Sequence, residues 1–117
     1  MTAMGDTTAQ LTERLAEHLE PDQMLIGDAI GEDYTHDEAV TVEPVAPAVV
    51  VRPRSTAEVA AVLALANELG VPVTARGSGT GHSGAAVPDA KGILLSLASM
   101  KGVDQNEPAK HVAVVQP

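Results

Sequence analysis

The sequence contains no cysteine. That excludes disulfide staples, thiolate nucleophiles and zinc–thiolate centres. It has no tryptophan and no phenylalanine, and Tyr34 is its single aromatic residue. Stacked aromatic platforms for single-stranded nucleic acid are therefore excluded. Positive charge is scarce: seven Lys and Arg face sixteen Asp and Glu, a net charge of −9. A chain this acidic is a poor partner for nucleic acid or an anionic membrane surface. No apolar run approaches the roughly 20 residues of a membrane-spanning helix. The opening "MTAMGDTTAQLTERL" has neither a basic stretch nor an apolar one, so it does not read as a secretory signal. These absences predict a cytoplasmic protein with no integral membrane segment. Internal repeats and low-complexity tracts are also missing.

What is present suits one small domain or part of a larger one: 117 residues, 44% of them hydrophobic, enough for an aliphatic core. The charge is uneven. Residues 1–43 carry eleven acids and one base, whereas residues 44–117 carry five acids and six bases. Arg52, Arg54 and Arg76 stand in the near-neutral part, where an acidic coenzyme meets no strongly repelling field. The chain divides accordingly into an acidic helical and loop segment, 1–43, and a second region, 44–117.

Asp6, Thr7 and Thr8 offer N-caps for a first helix, in which Leu11, Leu15 and Leu19 recur every four residues. Pro21 ends it. "PDQMLIGD" predicts a short turn or second helix, and "AIGEDYTHDEAVTVEP" an irregular acidic loop. The pattern then changes. Ala48–Arg52 is a short β-rich run. Ser55 with Glu58 three residues on forms a capping box. It opens a helix with an apolar stripe of Val59, Val62, Leu63, Ala66 and Leu69, closed by Gly70. Val71–Arg76 reads as a second strand, Gly92–Leu97 as a third, and His111–Pro117 as the start of a fourth. The fold class is α/β (α+β): N-terminal helices, then a βαβ unit, expected parallel and right-handed, and a glycine-rich loop. A strand begun at the very end of the sequence suggests a fragment of a longer domain.

That loop, "ARGSGTGHSGAAVP" (75–88), holds four glycines and three hydroxyl residues. Gly79-x-Gly81-x-x-Gly84 matches the dinucleotide fingerprint, whose mechanism needs a helix directly after the glycines. Only eight residues, Ala85 to Gly92, separate it from the next strand, and Pro88 is among them. A nicotinamide-type Rossmann site is disfavoured. No Lys-Ser/Thr closes the run as in a P-loop, and no GxSxG elbow is formed around Ser83. Glycines do allow successive amides to converge on an anion without a helix, and Ser78, Thr80 and Ser83 can add donors. The plain alternative is a structural connection between two strands.

"VVRPRSTAEV", the following helix and "VPVTARGSGTGHSGAAVP" together resemble the start of the FAD-binding domain of the vanillyl-alcohol-oxidase (PCMH) type. Within that superfamily the chain is most similar to the branch of the FAD-linked glycolate oxidases and D-lactate dehydrogenases; "YTHDEA" resembles a Tyr-x-x-Asp segment found there. The resemblance covers roughly residues 25–117. It implies the first subdomain of that domain, FAD as cofactor, and a backbone from Gly77 to Ser83 wrapped around the FAD pyrophosphate. Ser78, Thr80 and Ser83 are then hydroxyl donors, Gly84 ends the cradle, and Arg76 stands at the loop entrance. There it either adds charge or is a solvated strand-end residue.

His82 replaces an apolar residue usual in this branch. Other branches bond a histidine in a similar context to the flavin 8α-methyl, which makes His82 the candidate for covalent FAD attachment; the alternative is a histidine packed against the cofactor. His18, His36 and His111 read as surface residues. Metal binding by Asp33, Asp37 and Glu38 is weighed and set aside, so no metal is expected.

The resemblance implies an FAD-linked oxidoreductase passing hydride from a small 2-hydroxy acid to flavin N5. The catalytic residues are expected beyond residue 117, in a missing C-terminal part or a partner chain. The alternatives are a non-catalytic truncated module that acts only with a partner chain, and a NAD-type Rossmann protein.

Overall fold

The computed structural model describes residues 4–36, 38–39, 42–81 and 84–115. Helix α1 spans Met4–Leu15. Its Leu11 and Leu15, with Leu19 in the turn beyond, are buried as their four-residue spacing predicts. The segment after Pro21 takes the turn of the two expected alternatives and adds a strand. It forms a 3-10 turn, Pro21–Gln23, and then a two-residue strand β1, Met24–Leu25, rather than a second helix. The cause is tertiary. Gln23 is buried, and its side-chain amide donates to the carbonyl of Arg52 (3.1 Å) and to Glu58 Oε1 (2.8 Å). These bonds fix the chain in an extended path along the neighbouring strand.

That neighbour is β2, Val49–Val51, paired antiparallel to β1. Helix α2, Thr56–Leu69, begins at Ser55, whose hydroxyl accepts the Glu58 N–H, and ends at Gly70 in a left-handed cap. Strand β3 is Val73–Arg76 and β4 is Ile93–Ser96. The sheet order is β1-β2-β4-β3, and β4 runs parallel to both β2 and β3. The expected βαβ unit is therefore parallel, with β4 inserted between its two strands.

Strands alternate their side chains between faces. Val49, Val51, Ile93 and Leu95 join Leu11, Leu15, Val62, Leu65 and Ala66 in the core under the helices. Val50 and Leu94, of opposite parity, are also fully buried, so the sheet is covered on both faces. The helical stripe is shifted from expectation: Leu65 is buried while Leu63 is 47% exposed. Leu63 instead borders an apolar hollow of about 180 Å³ shared with Val59, Val73, Ala75, Leu97 and Met100.

Parallel neighbours need a crossover of a dozen or more residues. Between β3 and β4 that crossover is residues 77–92, the glycine loop itself, with no helix among its described residues. Beyond β4 a separate hairpin pairs β5, Val103–Glu107, with β6, Val112–Val115. The terminal strand thus has a partner, β5, that sequence patterning did not reveal, since "VDQNE" is largely polar. All four β6 side chains are nevertheless exposed.

Candidate functional site

The glycine loop leaves the C-terminal end of β3, the side on which open parallel sheets bind ligands. Arg76 is the last residue of that strand and faces Ser96 across the ladder. It is not a solvated strand-end residue. Only 8% exposed, it donates Nη1–H to the carbonyl of His36 at 2.6 Å. Its Cζ lies 5.8 Å from the centre of the Tyr34 ring, within cation–π range. Above it, Gly79 passes with φ 77°, and a Cβ there would overlap the guanidinium Nη2 and Cζ. Glycine at 79 is thus required twice, by conformation and by space.

The segment read as a plain acidic loop is the back wall of this site. Tyr34 lies in a 3-10 turn, Glu32–Thr35. The Glu38 N–H donates to the Gly81 carbonyl at 2.8 Å. Val42 packs so close to Gly84 that a Cβ on Gly84 would come within 2.8 Å of it. His36, expected at the surface, is half-buried. The single aromatic residue in this stretch was the available signal, because an isolated tyrosine in an acidic segment has little reason to be solvated.

The loop's own donors point elsewhere. Among the described residues, no hydrogen bond of the chain uses the backbone N–H of Gly77, Ser78, Gly79, Thr80 or Gly81. Ser78 Oγ and Thr80 Oγ1 lie 3.2 Å apart. Gly77 has neither a left-handed φ nor a neighbour that a Cβ would meet. Nothing among the described residues demands glycine there, whereas a ligand approaching the backbone would. Open space, a row of unused amides and two hydroxyls fit a phosphate or pyrophosphate. His82 and Ser83 lie outside the described residues.

The other expected cations are engaged. Arg52 Nη2 donates to the Asp22 carbonyl (2.6 Å), and Arg54 Nη2 pairs with Asp22 Oδ2 (2.7 Å). Glu58 accepts from the Arg54 N–H at 2.7 Å and from Gln23, and these bonds hold its carboxyl below the usual carboxylate range. Among the described residues no group of three potential metal ligands occurs, and no helix is long and apolar enough to cross a membrane. Asp37 is outside the described residues. His18 and His111 are exposed.

Comparison with known proteins decides the family. The FAD binding domain family matches residues 47–117. The chain belongs to that family. It is 49% identical to an uncharacterized FAD-linked oxidoreductase of Mycobacterium tuberculosis, over 93% of this chain and 24% of that protein. It is 42% identical to a D-lactate dehydrogenase of Anaerostipes hadrus, over 82% of this chain and 20% of that protein. To the glycolate oxidase subunit GlcD of Escherichia coli it is 45% identical, over 61% of this chain and 14% of that protein. The chain thus spans a quarter or less of these relatives. The fold matches alkyldihydroxyacetonephosphate synthase with TM-score 0.77 at 20% identity, over 90% of this chain and 21% of that one. It also matches p-cresol methylhydroxylase with TM-score 0.73 at 21% identity, over 87% of this chain and 20% of that one. The cofactor of this domain is FAD. No helix lies among the described residues between Gly84 and β4, so the loop lacks the helix that a Rossmann site requires.

Proposed function

We propose that the glycine loop is the pyrophosphate cradle of an FAD-linked oxidoreductase that oxidises a small 2-hydroxy acid of the D-lactate or glycolate type. The row of unused amides from Gly77 to Gly81 carries this reading. When bound, FAD would supply the redox chemistry, as the hydride acceptor for the substrate α-carbon. The chain's own residues bind and orient. The amides of Gly77 to Gly81 donate to pyrophosphate oxygens, and the hydroxyls of Ser78 and Thr80 turn from each other to the ligand. Ser83 adds a third hydroxyl, and Gly84 lets the chain leave past Val42. Arg76 contributes positive charge. The substrate base belongs to the rest of the protein. The 2-hydroxy acid class is supported by the relatives named as D-lactate dehydrogenase and glycolate oxidase.

The test is the flavin spectrum of the full-length protein, followed anaerobically after addition of D-lactate or glycolate. Bleaching of the oxidised flavin by either acid supports the reading. A colourless protein that takes up no FAD overturns the cradle, and a flavin that stays oxidised with both acids overturns the substrate class.

His82 is the proposed point of covalent attachment, because a neutral imidazole is a competent nucleophile. Acid precipitation of the holoprotein decides this: flavin remaining with the polypeptide establishes the bond, and free FAD in the supernatant refutes it. A second reading, a module completed by a partner chain, draws on the exposed side chains of β6. The coding sequence past Pro117 separates the two, an in-frame continuation favouring the oxidoreductase and a stop codon the module.

A further inference from the structure

We propose that Arg76 is a positioning residue for the cradle: its buried guanidinium is the floor on which the loop is shaped and the counter-charge that the loop carries to its ligand. This rests on the reading of the loop as a pyrophosphate site. Arg76 is the one buried cation among the described residues. Buried charges are normally paired. Yet among the described residues no carboxylate pairs with Arg76; it meets a neutral carbonyl and an aromatic face. The Gly79 backbone lies against the guanidinium, so close that an added Cβ would overlap it.

Two consequences follow from this stack. The flat guanidinium fixes the left-handed turn at Gly79 and ties the loop to the Tyr34–His36 wall, forty residues away in sequence at the His36 bond. Its charge, which meets no carboxylate among the described residues, adds to the field of the loop amides and favours an anion above them. Lysine cannot reproduce the arrangement, because an ammonium is a point charge with no flat face and no fork of donors.

The experiment uses full-length protein and measures binding of FAD, of ADP and of riboflavin, which lacks phosphate, to wild type, Arg76→Lys and Arg76→Met. Both variants are expected to weaken FAD and ADP by about tenfold or more while leaving riboflavin within about twofold, as removal of a group that orients ligands does elsewhere. General damage to the fold would weaken all three. Rescue by Lys to wild-type affinity shows that charge alone suffices and overturns the shaping role; wild-type FAD and ADP affinity in both variants overturns the proposal entirely. Gly79→Ala adds a coupling test. Its loss of FAD affinity is expected to be smaller in an Arg76→Ala background, where the overlapped guanidinium is gone, and strict additivity contradicts the stack. Should the Arg76 variants not fold, Tyr34→Leu, which removes the ring beneath the guanidinium, is expected to weaken FAD and ADP selectively, and unchanged affinities overturn the proposal. A wild-type protein that binds neither FAD nor ADP refutes the site itself, an outcome distinct from all of these.

Discussion

At Gly79 the backbone crosses the Arg76 guanidinium with φ 77°, whereas at Gly77, two residues earlier, an added methyl would meet nothing. The two glycines should therefore respond oppositely to alanine. Gly79→Ala is expected to destabilise the fold by at least the about 1–2 kcal/mol of a left-handed non-glycine residue, read as a lower thermal midpoint. Gly77→Ala should change stability by no more than about 0.5 kcal/mol, yet weaken FAD binding by the full-length protein about tenfold or more. Equal stability losses at the two positions would contradict this assignment. The residue pattern made the loop's donors legible, since four glycines and three hydroxyls in one connection leave amides free. It did not reveal the burial of Arg76, because the groups that enclose it come from Tyr34 and His36, and no local pattern encodes a contact over that separation.

At the scale of elements, the Ser55–Glu58 spacing correctly marked the start of α2, and the Ser55 hydroxyl does accept the Glu58 N–H at 3.2 Å. The Glu58 carboxylate, however, turns to the Arg54 N–H and to Gln23. Its pKa is lowered from 4.5 mainly by the Arg54 bond and then by Gln23. The stabilisation it brings is thus present above pH 4.5 and is lost as pH falls through the depressed folded value. Glu58→Gln should flatten the acid limb of thermal stability below pH 4.5; an unchanged acid limb would show that the carboxylate is not held there. Helix α1 is tested by Leu15→Ala, expected to lower stability by about 2–5 kcal/mol because Leu15 is fully buried in the shared core. Both helices were legible from periodicity, and α2 also from its cap; the N-caps expected at Asp6, Thr7 and Thr8 instead lie inside α1, which already begins at Met4. Strand β1 was not, since two residues carry no period and Gln23 fixes them through bonds to Arg52 and Glu58. Strand β5 was hidden in the same way by its polar sequence.

For the whole molecule, the three parallel strands of the mixed sheet place the loop at one end, with α1 and α2 on one face and the acidic back wall behind the loop. Residues 44–117 are close to neutral although the chain carries −9, so the charge imbalance sits in the segment that contains the back wall. Hydrophobic surface remains uncovered on β6, where Val112, Val114 and Val115 are 51%, 44% and 54% exposed. A chain that spans a quarter or less of its relatives and leaves such surface open should hold FAD weakly by itself. Purified residues 1–117 are expected to show little or no flavin absorbance after gel filtration with added FAD; stoichiometric flavin would contradict this. The family was legible in the sequence because the paired "VVRPRSTAEV" and glycine-loop motifs are constrained by the helix and crossover they begin.

The central claim is that the amides of Gly77 to Gly81 are the donors to the FAD pyrophosphate. Amide hydrogen exchange of the full-length protein, resolved to this loop, tests it most directly with and without FAD. These amides are expected to exchange freely without FAD, as groups with no hydrogen-bond acceptor among the described residues, and to become protected when it binds. Protection that appears elsewhere while residues 77–81 continue to exchange freely would contradict the claim.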